Sequence, residues 1–295
     1  MSKAIARAPS RLHEYYELTK PRVVMLIVFT AIIGMFLAVP GMPPWDKLIW
    51  GTLGITLQAA AAAAINQIID REVDARMART CGRPLVTGML SVTESIVFAT
   101  VIGLAGFAML WFWVNPFTAL LTQLGLVGYA GIYTLWLKRA TPQNIVIGGA
   151  AGAIPPVLGW VAVTGEVHPH SLILFGIIFA WTPPHYWPLA IARKDEYADA
   201  GIPMLPVTHG VEYTLTQILL YTFILFAITL LPFVSGMSGL PYLFGAVALG
   251  AVFIGYAWRL KFRPEAGLAM KTFGFSIVYL MGIFMLLLVD HYLPR

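Results

Sequence analysis

A helical protein that crosses a membrane nine times is the fold class predicted by three observations. Of its 295 residues, 59% are hydrophobic, giving a mean hydropathy of +0.78; only 11% are charged; and those charges fall between seven long uncharged stretches. An ordinary soluble chain carries about 25% charge, so a soluble globular enzyme is excluded. The 27 glycines and 20 prolines follow no period, which excludes collagen-like and low-complexity chains. Cys81, the single cysteine, allows no internal disulfide and no cysteine-based metal cluster, and reads as an inert thiol on a reducing side.

The uncharged stretches are residues 23–45, 48–69, 95–137, 140–165, 167–192, 213–258 and 272–289. About 20 apolar residues span a bilayer, so two of these are too long for one crossing. The third is interrupted by Asn115-Pro116 and the sixth by the proline-, serine- and glycine-bearing segment from Pro232 to Pro241, so each reads as a helical hairpin. Nine spans in a single domain, residues 1–295, are therefore expected. Their order predicts a cytoplasmic segment at 1–22 and cytoplasmic loops at 70–91 and 193–212.

Orientation follows from lysine and arginine, which are retained on the cytoplasmic side during insertion. With nine spans, seventeen of the nineteen basic residues share one side, and only Lys47 and Arg295 face the other. The N-terminus is thus expected in the cytoplasm and the C-terminus outside it, in the periplasm of a bacterial inner membrane. No cleavage site follows the first apolar stretch, so that stretch reads as a retained helix. Topology also explains the pI near 9.3, which therefore gives no argument for nucleic acid.

Eleven of the fourteen acidic residues fall on the same cytoplasmic side, the exceptions being Asp46, Glu166 and Asp290. Acidic residues contribute little to orientation, so their grouping asks for another cause. NQIIDREVD closes the second span and puts Asn66, Asp70 and Asp74 at i, i+4 and i+8, which on a helix is one face with a rise of about 6 Å per step. RKDEYADAG closes the sixth, with Asp195 and Asp199 again four apart.

A lone D-x-x-x-D pair is most often the solvated end of a helix. Two such pairs on one side, with an asparagine one turn deeper and Arg76, Arg79 and Arg83 in the following loop, point instead to a metal-diphosphate clamp. Carboxylates that face each other need cations to coexist. Mg²⁺ suits hard oxygen ligands and completes its shell with substrate phosphates, while arginine forks hold phosphate oxygens in pairs. Asn66, Asp70, Asp74, Asp195 and Asp199 are the candidate metal ligands; the four aspartates with Arg79 and Arg83 are the candidate catalytic set. RPLVTG at 83–88 and LPVTHG at 205–210 form a weak internal echo, consistent with a duplicated element.

Within the sixth span, His185 follows Pro183 and Pro184, which predict an irregular, cavity-lining stretch. An ionisable group inside a membrane is a candidate functional residue. His13, His168, His170 and His209 read as solvated, and the small-residue run at 148–153 as a close helix contact. No HExxH, Walker or GxGxxG pattern occurs. A transporter would place its coupling acids near the bilayer midplane, whereas every acid here lies outside the uncharged stretches.

N-x-x-x-D-x-x-x-D at 66–74 followed by RT-x-x-RPL at 79–85, with the second acidic motif at 195–199, resembles the UbiA intramembrane prenyltransferases. LTKPRV at 18–23, WTPPHYWPLAI at 181–191 and DAGIPMLPVTHG at 199–210 resemble the branch of that superfamily acting on protohaem. The resemblance covers essentially the whole chain and implies nine spans and Mg²⁺ as cofactor. It further implies transfer of a farnesyl group from farnesyl diphosphate to a vinyl group of protohaem IX (haem b), giving haem O. It puts His185 near the porphyrin, with Asn66, Arg76, Lys20, Lys138 and Tyr197 completing the candidate substrate-binding set. Membrane lipid is an expected partner, as is a complex with a haem-modifying enzyme or terminal oxidase. A quinone-type aromatic prenyltransferase, sharing the acid clamp, is the alternative within the superfamily.

Overall fold

The computed structural model describes residues 10–294; Lys3, Arg7 and Arg295 of the charge count lie outside them. The described chain is helical, with no strand among its residues. A short amphipathic helix α1 (Arg11–Leu18) precedes α2 (Pro21–Leu37), the two meeting at a 52° bend. There follow α3 (Trp45–Asp74), α4 (Val92–Val114), α5 (Pro116–Ala140), α6 (Asn144–Ala153), α7 (Pro155–Thr164) and α8 (Pro169–Ala192). Then come α9 (Lys194–Asp199), a single helical turn at Leu205–Thr208, α10 (Gly210–Val234), α11 (Leu240–Phe262) and α12 (Leu268–Tyr292).

Among the described residues, seven helical segments are long and apolar enough to cross a membrane, with α6 and α7 counted as one; the bent α1–α2 pair makes an eighth. The multi-pass expectation holds at that level. α8 is 24 residues long and uncharged, but its prolines, histidine and aromatic residues lower its hydropathy.

Local chemistry explains where these helices begin and stop. Ser91 and Glu94 form a reciprocal capping box at the start of α4, satisfying backbone donors that the first turn leaves free. The Asn115 side chain accepts from Thr118 N at 2.8 Å to start α5, the break expected at Asn115-Pro116. Two proline effects run against expectation. α8 passes through Pro183, Pro184 and Pro188 without a break, whereas the helix that the sequence reads as one span over 140–165 divides at Ile154 before Pro155-Pro156. A proline costs a helix one hydrogen bond, and burial does not separate the two cases: Pro155 and Pro156 are buried, as are Pro183, Pro184 and Pro188.

α8 lies against α6, α7, α10 and α12, while α3 packs on α2, α4 and α5. Small residues let these helices approach. At Gly34 on α2 and Gly159 on α7, an added methyl would overlap the partner backbone, meeting Pro156 O and Ala31 O respectively. Gly148 on α6 faces the Tyr133 ring and Gly149 faces Thr182, as expected for a packing run, though Gly152 meets nothing.

Two charges assigned to the outer side are helix caps. Lys47 Nζ donates to Val114 O at 2.5 Å, closing α4 where carbonyls lack partners. Asp290, only 2% exposed, accepts from Gly239 N at 2.6 Å and Tyr242 N at 3.1 Å, capping α11 from the last turn of α12. Replacing Asp290 by Ala should therefore lower stability by about 2 kcal/mol, the upper range for loss of a helix cap. A thermal melt of the detergent-purified protein reads this, and a melting temperature unchanged from wild type would remove the assigned role.

Candidate active site

The long helix α3 carries the first acidic motif. Asn66, Asp70 and Asp74 occupy successive turns, and all three are buried, at 4%, 2% and 4% exposure. Their helix can sit deep because residues 59–64 are all alanine and α4 offers Gly103 and Gly106 opposite. A buried carboxylate must be paired or lose its charge, and the fold supplies the partners.

Lys138, at the end of α5, donates to Asp70 Oδ2 at 2.6 Å. Arg83 pairs with Asp74, and Lys20 donates to Asn66 Oδ1. The Asn66 amide nitrogen bonds Asp70 Oδ2 and Thr134 Oγ1, each at 3.0 Å. Two buried acids thus stand among three basic side chains, leaving a net positive surrounding for an anion.

Three local devices aim those cations. Lys20 has φ 52°, the one non-glycine residue with positive φ among those described, and sits where α1 turns into α2. Such a conformation is costly for a lysine and persists only where its surroundings enforce it. Gln67 does so, its amide donating to Glu17 O and Leu18 O at 3.0 Å each. The stretch of α5 from Val127 to Leu137 is wound as a π-helix, so that Thr134 Oγ1 reaches Tyr129 O at 2.8 Å while accepting from Asn66. Thr80 Oγ1 donates to Asp74 O at 2.9 Å, folding the loop back so that Arg83 reaches the ladder.

The second motif lies in a different setting. α9 is helical, as the Asp195 and Asp199 spacing predicts, but both aspartates are exposed. Among the described residues no three His, Cys, Asp or Glu side chains are placed to share a metal ion. The structure therefore assembles Asn66, Asp70 and Asp74 with Lys20, Lys138 and Arg83, and does not gather Asp195 and Asp199 around the same point. The backbone departs from helix at Arg193, between α8 and α9, and Arg193 pairs with Glu196 at 2.6 Å.

Tyr197, between the two aspartates, is buried and meets the Tyr186 hydroxyl at 2.8 Å. Burial, then the neighbouring Tyr186, push the Tyr197 phenol well above its ordinary range, so it stays protonated, while the Arg79 charge acts in the opposite direction. Arg79 thereby stands within electrostatic reach of the second motif. Arg76 and Arg79 are both exposed and make no ion pair among the described residues.

His185 sits in α8 between two aromatic rings, Trp181 at 4.0 Å and Phe273 at 4.6 Å, both near parallel. Its Nδ1 lies 2.6 Å from Ser276 Oγ on α12. Nothing in the sequence pattern marks Thr134, Thr80, Tyr186 or Ser276. Hydroxyl residues inside apolar helices usually bond their own preceding turn, as Thr56, Thr182 and Thr222 do, so nothing in the pattern separates the few that also reach across.

Buried acids paired with basic side chains at one end of a bundle of apolar helices can hold a charged headgroup with a greasy tail. The chain belongs to the UbiA prenyltransferase family, whose model matches residues 27–287. Among curated relatives, the "Protoheme IX farnesyltransferase" of Colwellia psychrerythraea is 60% identical over 278 residues, 94% of this chain and 91% of the relative. Two solved structures share the fold. A digeranylgeranylglyceryl phosphate synthase superposes with a TM-score of 0.79 at 19% identity, covering 95% of this chain and 98% of the other. A UbiA homolog from Archaeoglobus fulgidus bound to GPP and Mg²⁺ gives 0.61 at 18%, covering 93% and 99%.

Proposed function

We propose that this protein transfers the farnesyl group of farnesyl diphosphate to a vinyl group of protohaem IX, releasing diphosphate, and that a water then adds to the cation left on the haem side chain and loses a proton, giving haem O with its hydroxyethylfarnesyl chain. The observation that carries the reading is the buried Asn66–Asp70–Asp74 ladder with Lys20, Lys138 and Arg83 on its oxygens. The acceptor is argued from the 60% identical relative and the 181–191 segment around His185.

The donor set also fits Mg²⁺. Asp70 Oδ1 is buried without a hydrogen-bond partner, and an orphaned carboxylate oxygen in a dry site is the ligand a hard cation takes. When bound, Mg²⁺ supplies Lewis-acid stabilisation of charge on the leaving diphosphate. Asp70 and Asp74 would hold it, joined by Asp195 and Asp199 if α9 closes over the headgroup.

The chain's own groups then divide the work. Lys20, Lys138 and Arg83 bind phosphate oxygens and stabilise the negative charge that grows as the allylic C–O bond breaks. Arg76 and Arg79, exposed beside them, draw the anion in. Tyr186 and Tyr197 tie the short helix α9 to α8 at the side of the second motif. Apolar helix faces shield the farnesyl cation from water until the vinyl carbon attacks. On this reading nine spans place the N-terminus and the clamp at the cytoplasmic face of the inner membrane.

Incubating the purified protein with farnesyl diphosphate, Mg²⁺ and either protohaem or 4-hydroxybenzoate, then weighing the products by mass spectrometry, tests the assignment. Farnesylated, hydrated haem is the expected product. A prenylated benzoate alone would overturn the acceptor, and no release of diphosphate with either would overturn the reaction.

A further inference from the structure

Two contacts 2.6 Å long define the state of His185. One joins its Nδ1 to Ser276 Oγ, and the other joins Ser276 Oγ to the carbonyl oxygen of Phe273 one turn earlier on α12. A carbonyl only accepts, and two oxygens at that distance repel unless a proton lies between them. The single hydroxyl proton of Ser276 is therefore committed to Phe273. Its oxygen can then only accept from the imidazole, so Nδ1 carries a ring proton, and in the neutral ring the lone pair falls to Nε2.

The ring has little freedom to escape this arrangement. Trp181 and Phe273 sandwich it, and Trp181 Nε1 donates to Ser276 O at 2.7 Å, so α8 and α12 are stitched through both the backbone and the hydroxyl of one serine. Ser276 is fully buried. Nε2, by contrast, makes no hydrogen bond among the described residues, and the His185 side chain keeps partial exposure.

We infer that Ser276 is a positioning residue for the prenyl acceptor: it locks neutral His185 as the Nδ1–H tautomer and leaves Nε2 as the Lewis base offered to haem iron. The free imidazole ordinarily interconverts between tautomers; here one hydrogen bond selects the form able to ligate. A hydrogen bond to the far nitrogen of a ligating histidine also fixes ring orientation and raises ligand basicity. The iron assignment rests on the haem-acceptor reading above, whereas the tautomer does not.

Nitrogen-15 NMR of the full chain labelled at histidine, with the His185 signal identified by its loss in His185→Asn, separates the two. Without haem, the wild-type signal should show a protonated Nδ1 and a bare Nε2. Ser276→Ala should move the tautomer ratio roughly tenfold toward Nε2–H, the worth of one hydrogen bond; Ser276→Thr should restore it. A wild-type ring protonated at Nε2, or a ratio untouched by Ser276→Ala, would overturn the inference, and the wild-type spectrum decides even if the variant does not fold.

Ferrous haem added to the same preparations should give an iron–histidine stretch that falls to lower frequency in Ser276→Ala and vanishes in His185→Asn. An identical spectrum in His185→Asn would overturn iron ligation while leaving the tautomer standing. A failed product assay would instead count against the haem reaction itself.

Discussion

Changing Asp70 to Asn should cut Mg²⁺-dependent turnover of farnesyl diphosphate by about 10²- to 10³-fold, comparable to removing one preorganised group from a charge-stabilising site. Asn keeps the volume and one oxygen but loses the charge that would hold Mg²⁺. It also leaves Lys138 without its counter-ion in a buried position, so the melting temperature should fall too. The double change Asp70→Asn with Lys138→Met separates the two effects. It removes the stranded charge and should recover melting temperature while turnover stays lost. An Asp70→Asn enzyme with wild-type turnover would remove this residue from the clamp. Asp199→Asn makes the complementary case: its carboxylate is exposed, so stability should not change, and loss of turnover would show that α9 joins the site when substrate binds.

Adding one methyl at Gly159 should destabilise the protein by about 1–3 kcal/mol, the cost of overpacking a close-packed contact. The methyl would meet the backbone oxygen of Ala31, which has no rotamer to yield. Gly34 against Pro156 O repeats the contact, so α2 and α7 would have to part. α2 carries Lys20 at its N-terminal end, and separation of the two helices should therefore loosen Lys20 from Asn66 and lower turnover as well. Gly152→Ala is the control, because nothing lies within 4 Å of its added carbon. Melting temperatures of the two alanine variants in one detergent read the difference, and equal values would dismiss the backbone contact as a stability element.

Much of this architecture is legible in the chain itself because the bilayer imposes a coarse rule. Spans must be long, apolar and internally hydrogen bonded, so uncharged stretches of sufficient length already mark the helices. The Asn115-Pro116 break follows from capping chemistry confined to three residues. The division of α6 from α7 at Ile154, and the absence of one at Pro183-Pro184, are not distinguished by the local sequence. The same residue type yields opposite outcomes although all of these prolines are buried.

The candidate site divides in the same way. The face shared by Asn66, Asp70 and Asp74 is a consequence of helical period, and the side-chain types announce oxygen-ligand chemistry without any structure. Their burial, however, depends on α3 running five residues beyond the uncharged stretch and meeting α5. The pairings of Asp70 with Lys138 and of Asn66 with Lys20 join residues 68 and 46 positions apart. Asp195 and Asp199 look equivalent to the first pair in sequence, yet they stay exposed on a short helix.

Sequence alone thus determined the membrane class, the helix-forming stretches, the acidic ladder and the family resemblance, since each rests on composition or on residues within a few turns. Only the tertiary structure decided which cations neutralise the ladder, that Thr134 and Ser276 reach across to Asn66 and His185, and that α9 stands apart. Those outcomes are set by which helices come close. That in turn depends on small-residue contacts such as Gly34 with Pro156 and Gly159 with Ala31, whose partners lie more than a hundred positions away along the chain.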